Sequence, residues 1–148
     1  MDDTFDQTLR TAVYQHFAIT GLSPTLDTMR EVTGATSEQV MDGYRRLYAK
    51  RMLVPADDFA FIRMAPPFSG VPTQHRAAVN GKEYFANCAW DAFGVVSALG
   101  GTGDVVSRCE HTFEPLVLHL TGDGPSSSEW RFHCVVPAVD WWNDIVFT

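Results

Sequence analysis

Apolar residues recur every three to four positions through the first third of the chain. Phe5, Leu9, Ala12, Val13 and Phe17 form one stripe, the spacing of an amphipathic helix. It predicts a helix over residues 4–17, stopped by Gly21. Ser23-Pro24 reads as an N-cap followed by proline at the first helical position. The second, short helix it opens has Leu26, Met29 and Val32 as its apolar face and ends at Gly34. Thr36 or Ser37 caps a third helix, which runs through Val40, Tyr44, Leu47 and Leu53 (or Met52) and closes at Pro55. Asp57-Asp58 is a turn, and residues 59–64 read as a strand.

Beyond residue 72 the pattern changes. Residues 65–72 hold Pro66, Pro67, Gly70 and Pro72, a linker signature that divides the chain into domains 1–64 and 65–148. Residues 73–79, with His75 and Arg76, predict a strand. Asn80-Gly81 is a strong two-residue hairpin signal, returning the chain as Lys82-Glu83-Tyr84-Phe85. A helix follows and ends at Leu99-Gly100-Gly101. Residues 104–109 and 114–120 read as strands joined by the Glu110-His111-Thr112 turn, the second with Leu116, Leu118 and Leu120 alternating with Val117 and His119. After a polar loop at 122–128, residues 130–136 predict another strand, and 137–142 a turn or short helix. The fold class is α+β: a three-helix, winged-helix-like N-terminal domain, then a mixed, mostly antiparallel sheet core with one helix carrying Cys88 and Asp91.

Composition narrows the function. The 148 residues carry a net charge of −7, which argues against a large phosphate-binding surface. A winged-helix DNA reader would use the third helix, where Arg45, Arg46, Lys50 and Arg51 form the densest basic cluster; the acid surplus favours reading them as a solvated face. No apolar run approaches the roughly 20 residues of a membrane span. The acidic start Met1-Asp2-Asp3 resembles neither a signal nor a transit peptide, so a cytoplasmic location is expected. Three cysteines, Cys88, Cys109 and Cys134, are an odd count without a Cys-x-x-Cys pair, which fits neither a disulfide scaffold nor a zinc ribbon.

The chemistry concentrates in Asn87-Cys88-Ala89-Trp90-Asp91. With Asn87 as N-cap, Cys88 falls in the first helical turn, where unpaired N–H groups and the macrodipole favour an anion and lower the thiol pKa. On this reading Cys88 is the most reactive thiol. Asp91 is three residues on, on the same face with Cβ atoms about 5–6 Å apart. A thiolate beside a proton carrier can bind a soft electrophile and protonate it; the plainer alternative is a buried cysteine acting as a small hydrophobe. Cys109 reads as a core residue or a third soft ligand. Cys134 and His133 fall on opposite faces of the predicted 130–136 strand, and Trp141-Trp142 reads as core or as the wall of an apolar pocket.

Taken together, residues 84–91, Ala98-Leu99-Gly100, Ser107-Arg108-Cys109 and the 141–148 segment Trp-Trp-Asn-Asp-Ile-Val-Phe-Thr resemble the organomercurial (alkylmercury) lyases. The resemblance extends over the whole chain, since that family also places a winged-helix-like domain before a mixed core. It implies a mercury-binding Cys88, a proton-shuttling Asp91, a structural Cys109, and protonolysis of a carbon–mercury bond to a hydrocarbon and Hg(II) without an organic cofactor. The partners implied are an organomercurial and Hg(II), with neither nucleic acid nor membrane. Softness makes thiolate the matching ligand for mercury. The family's further catalytic cysteine would fall near residues 127–130, where none stands. Cys134 is the substitute present as a second mercury ligand, or the thiol lies beyond Thr148 in a longer chain. A non-catalytic mercury or soft-metal binder on the same scaffold is the alternative.

Overall fold

The computed structural model describes residues 2–127 and 129–147; Ser128, inside the region expected to match the family's further cysteine, and Thr148 lie outside the described residues. Three helices come first: α1 (Asp2–Thr20), α2 (Leu26–Thr33) and α3 (Ser37–Ala49). Leu9, Val13 and Phe17 of α1 are fully buried against Met29 of α2 and Val40, Tyr44 and Leu47 of α3, so the periodic stripes meet as predicted. α3 opens with a capping box, Thr36 Oγ1 accepting from Gln39 N and Gln39 Oε1 from Thr36 N, which satisfies two otherwise unpaired N–H groups.

The boundaries differ from the pattern in ways the contacts explain. The cap of α2 is Thr25, whose Oγ1 accepts from Thr28 N at 3.1 Å. Ser23 was the expected cap, but its hydroxyl instead accepts from Ile62 N at 2.8 Å, and Pro24 stays outside the helix. Val32, expected on the apolar face, is exposed. α3 stops at Ala49, where Arg51 turns into the left-handed region with φ 58°. Leu53 is buried beyond the helix, and Pro55, expected as a terminator, lies in a strand.

That strand, β1 (Val54–Pro55), joins β2 (Ile62–Ala65) and β3 (Phe68–Ser69) in a three-stranded antiparallel sheet. The predicted 59–64 strand starts late, because Phe59 sits at φ 59° and Asp58 Oδ1 accepts from Ala60 N in a turn. Within 65–72, Phe68 and Ser69 are buried. Phe68 stacks on Phe17 at 5.4 Å between centroids and lies 5.8 Å from Tyr84, so one hydrophobic cluster runs from the helices into the sheet. Gly70 has no alternative: a Cβ there would lie 1.8 Å from the Ile62 carbonyl oxygen.

The larger sheet has the order β5-β4-β6-β7-β8, with every pair antiparallel. Its strands are β4 (Arg76–Val79), β5 (Lys82–Phe85), β6 (Gly103–Arg108), β7 (Pro115–Thr121) and β8 (Gly124–Pro125). Asn80 and Gly81, at φ 52° and 76°, make the β4–β5 hairpin the sequence predicts. The face carrying Ala77, Val79, Val105, Leu116, Leu118 and Leu120 is buried, and α4 (Ala89–Ala98) packs on it at β4 and β6 through Ala92, Val95 and Val96. The strand expected at 130–136 does not form among the described residues. Among the described residues β8 pairs with β7 at Leu120 and Thr121, and Ser126 N donates to the His119 carbonyl at 2.7 Å just beyond it. Residues 129–137 are irregular and lead into a 3₁₀ turn at Ala138–Asn143.

Candidate active site

β4, β5 and β6 deliver the candidate groups to one end of the larger sheet. Arg76 is opposite both Phe85 and Val106 in the register, so the segments that continue from β5 to Cys88 and from β6 to Cys109 leave the sheet at the same end. Cys88 itself caps α4: its backbone is extended, and its Sγ accepts from Asp91 N at 3.4 Å. Asn87, expected as the cap, is committed elsewhere. Its Nδ2 donates to the Phe68 carbonyl at 3.1 Å and to Asp91 Oδ2 at 2.9 Å. Thiol and carboxyl therefore share the first turn of one helix, both part-buried.

The electrostatics run against the expectation of an acidified thiol. Burial pushes the Cys88 thiol up, the Asp91 charge adds to this, and the N–H donations from Asp91 and Trp90 only partly oppose it. Helix-end stabilisation of a thiolate is modest beside the cost of removing it from water. Burial also pushes the Asp91 carboxyl up, with the Asn87 hydrogen bond opposing. Burial thus disfavours ionisation of both groups, and the Asp91 charge adds to this at Cys88, so the pair favours holding a proton.

Cys134 is exposed, and its charge is the smallest contribution raising Cys88. Two residues earlier, Phe132 sets its ring 5.7 Å from that of Trp90, which brings this segment to the first turn of α4. Alternation of His133 and Cys134 across a strand has no meaning in an irregular segment. Cys109 is not a core residue. It is part-exposed in the turn after β6, with Sγ accepting from Thr112 N at 3.5 Å. Hydrogen bonds from Thr112 hold its thiol below the usual range. Nearby, His75 Nδ1 and Ser107 Oγ are 2.8 Å apart, and His75 Nε2 is 3.7 Å from Glu110. Among the described residues no group of three or more His, Cys, Asp or Glu could hold a metal ion, and no helix is long and apolar enough to cross a membrane.

Sequence reasoning missed Asn87 as the partner of Asp91, although the i,i+4 spacing signals that contact. The His75–Ser107 pair has no such signal, because it depends on the β4–β6 register.

Fold and site define an α+β protein with a half-buried thiol–carboxyl pair at a helix start. The alkylmercury lyase (MerB) family model matches residues 68–148, more than half of the chain. The chain belongs to the alkylmercury lyase family. Among solved structures, the crystal structure of the mercury-bound form of MerB2 is similar with a TM-score of 0.64 and 25% identity, over 84% of this chain. The chain spans 59% of that protein's length. No curated protein sequence matches it.

Proposed function

We propose that the protein captures an organomercurial on Cys88 and cleaves its carbon–mercury bond by protonolysis, with Asp91 as the proton donor, as part of mercury detoxification in the cytoplasm. The observation that carries this reading is the Cys88–Asp91 turn, in which the Asp91 backbone N–H donates to Cys88 Sγ at 3.4 Å and so sets thiol and carboxyl in the first turn of one helix. When mercury binds, the thiol gives up its proton. A neighbouring carboxyl whose proton affinity is raised by burial suits receiving and holding a proton. In the cleavage step the Asp91 O–H bond breaks, the electron pair of the carbon–mercury bond becomes the new C–H bond, and mercury stays on sulfur. A general acid of this kind contributes on the order of 10²–10⁴-fold. Cys134 serves as the second mercury ligand and Cys109 holds its turn. No organic cofactor is needed.

On this reading the chain divides into domains 1–64 and 65–148, and the three helices with β1 and most of β2 form a winged-helix-like module that packs on the core, which adds β3 to its sheet. DNA reading is disfavoured because the basic cluster is internally paired: Arg45 with Asp42, Arg46 with Asp6, and Lys50 with Asp3 and Asp6. A non-catalytic soft-metal binder is the second reading; the exposed, irregular setting of Cys134 favours it.

The test separates binding from cleavage. Asp91→Asn should keep phenylmercury retention while benzene release falls at least ~10²-fold, and Cys88→Ser should lose both. Retention by the wild type without hydrocarbon release would select the binder. Equal cleavage by wild type and Asp91→Asn would remove Asp91 from the reaction.

A further inference from the structure

We infer that Asn87 is a positioning residue: it fixes the orientation of the Asp91 carboxyl and leaves Oδ1 as the oxygen that carries the transferable proton. The inference rests on Asp91 acting as the acid.

The argument starts from the amide. A primary amide nitrogen has two N–H donors and its oxygen none. Asn87 Nδ2 faces two acceptors, the Phe68 carbonyl at 3.1 Å and Asp91 Oδ2 at 2.9 Å. Exchanging the amide's nitrogen and oxygen would put lone pairs against both, so one orientation is selected. Both donors are then used. Asp91 Oδ2 is engaged as an acceptor, while Oδ1 accepts no hydrogen bond among the described residues. A proton on Oδ2 would point at an N–H, whereas a proton on Oδ1 meets no donor.

The anchor is itself held from several sides. Ala86, fully buried, forms a bridge with Phe68 and donates its N–H to the His75 carbonyl. Asn87 therefore leaves a fixed backbone and reaches across a short closed loop. Tyr14 of α1 donates to the Pro66 carbonyl at 2.9 Å. Pro67 lies against Gly94, where an added Cβ would come within 3.0 Å of it, and Phe68 stacks on Phe17. Segment 66–68 is thus gripped by α1 on one side and α4 on the other. Asn87 transfers that rigidity to the carboxyl, the orienting support a reacting group needs if its geometry is to be kept to a fraction of an ångström.

Asn87→Leu removes both donors at similar size, and Asn87→Ser is a smaller replacement in case leucine perturbs folding. Three quantities decide: phenylmercury retention, the kcat and KM of benzene release, and solvent exchange of the Asn87 side-chain amide protons by NMR. We expect kcat to fall at least ~10-fold in both variants, with retention and KM unchanged. Wild-type turnover in both variants overturns the assignment. So does a parallel loss of retention and turnover, which would mean that Asn87 only holds the Cys88 cap. If the wild type releases no benzene at all, the lyase reading fails, and the NMR measurement judges the positioning alone. Two slowly exchanging amide protons in wild type, one of them released by Asp91→Ala, uphold it; fast exchange of both overturns it.

Discussion

At the scale of single residues, the three thiols have been sorted by their surroundings. Cys88 and Cys109 both accept a backbone N–H three residues ahead, at 3.4 and 3.5 Å. The difference is burial and charge. Cys88 is withdrawn from water beside Asp91, which raises its thiol, while Cys109 stands in a turn where Thr112 lowers its own. Alkylation requires the thiolate. Brief iodoacetamide treatment near neutral pH should therefore label Cys109 ahead of Cys88, the reverse of the order expected from a helix start alone. The sign with pH follows: a raised thiol gains thiolate only as pH climbs past its ordinary range, so the Cys88 rate should keep rising steeply after that of Cys109 levels off. Peptide mapping by mass spectrometry across a pH series checks this, and faster Cys88 labelling at neutral pH would show that the helix end outweighs burial.

At the scale of elements, α1 and α3 are held together by more than their apolar stripes. Asp6 of α1 is buried at 2% exposure and takes three contacts from Arg46, at 2.8, 3.0 and 3.2 Å, with Lys50 Nζ at 3.3 Å. Arg46 is only one-third exposed, so losing Asp6 takes these contacts from a partly buried cation. Asp6→Ala should cost about 2–4 kcal/mol, toward the lower end of the cost of breaking a buried pair because both cations keep some solvent. Chemical denaturation with an unchanged m-value would show the loss to be one of stability. A change near zero would mean that the pair contributes no more than a surface salt bridge.

At the scale of the whole molecule, the acid surplus and the internal pairing of α3 point the same way. The chain has 18 Asp and Glu against 11 Lys and Arg, and three of the four basic residues that could have read DNA already face carboxylates. A duplex would have to displace those pairs, while the net charge of −7 repels its phosphates. Anisotropy titration with duplex DNA at physiological salt should show no binding below the micromolar range. Sub-micromolar affinity with a steep salt slope would restore the recognition-helix reading.

Much of this was legible in the chain itself. The stripes of α1 and α3, the Asn80-Gly81 hairpin, the alternation of β7, and the juxtaposition of Cys88 with Asp91 all follow from contacts within a few residues, where spacing fixes geometry. Other outcomes needed the folded chain. Ser23 lost the α2 cap to Thr25 because Ile62, far along the sequence, claimed its hydroxyl. Asn87 ceded the α4 cap to Cys88 because Phe68 and Asp91 took its amide. Residues 130–136 form no strand although their alternation suggested one. The thiol of Cys88 moved up rather than down because its desolvation depends on what packs over α4. Local spacing carries no information about burial or about which distant group will compete for a hydrogen bond, and those two quantities decided the site.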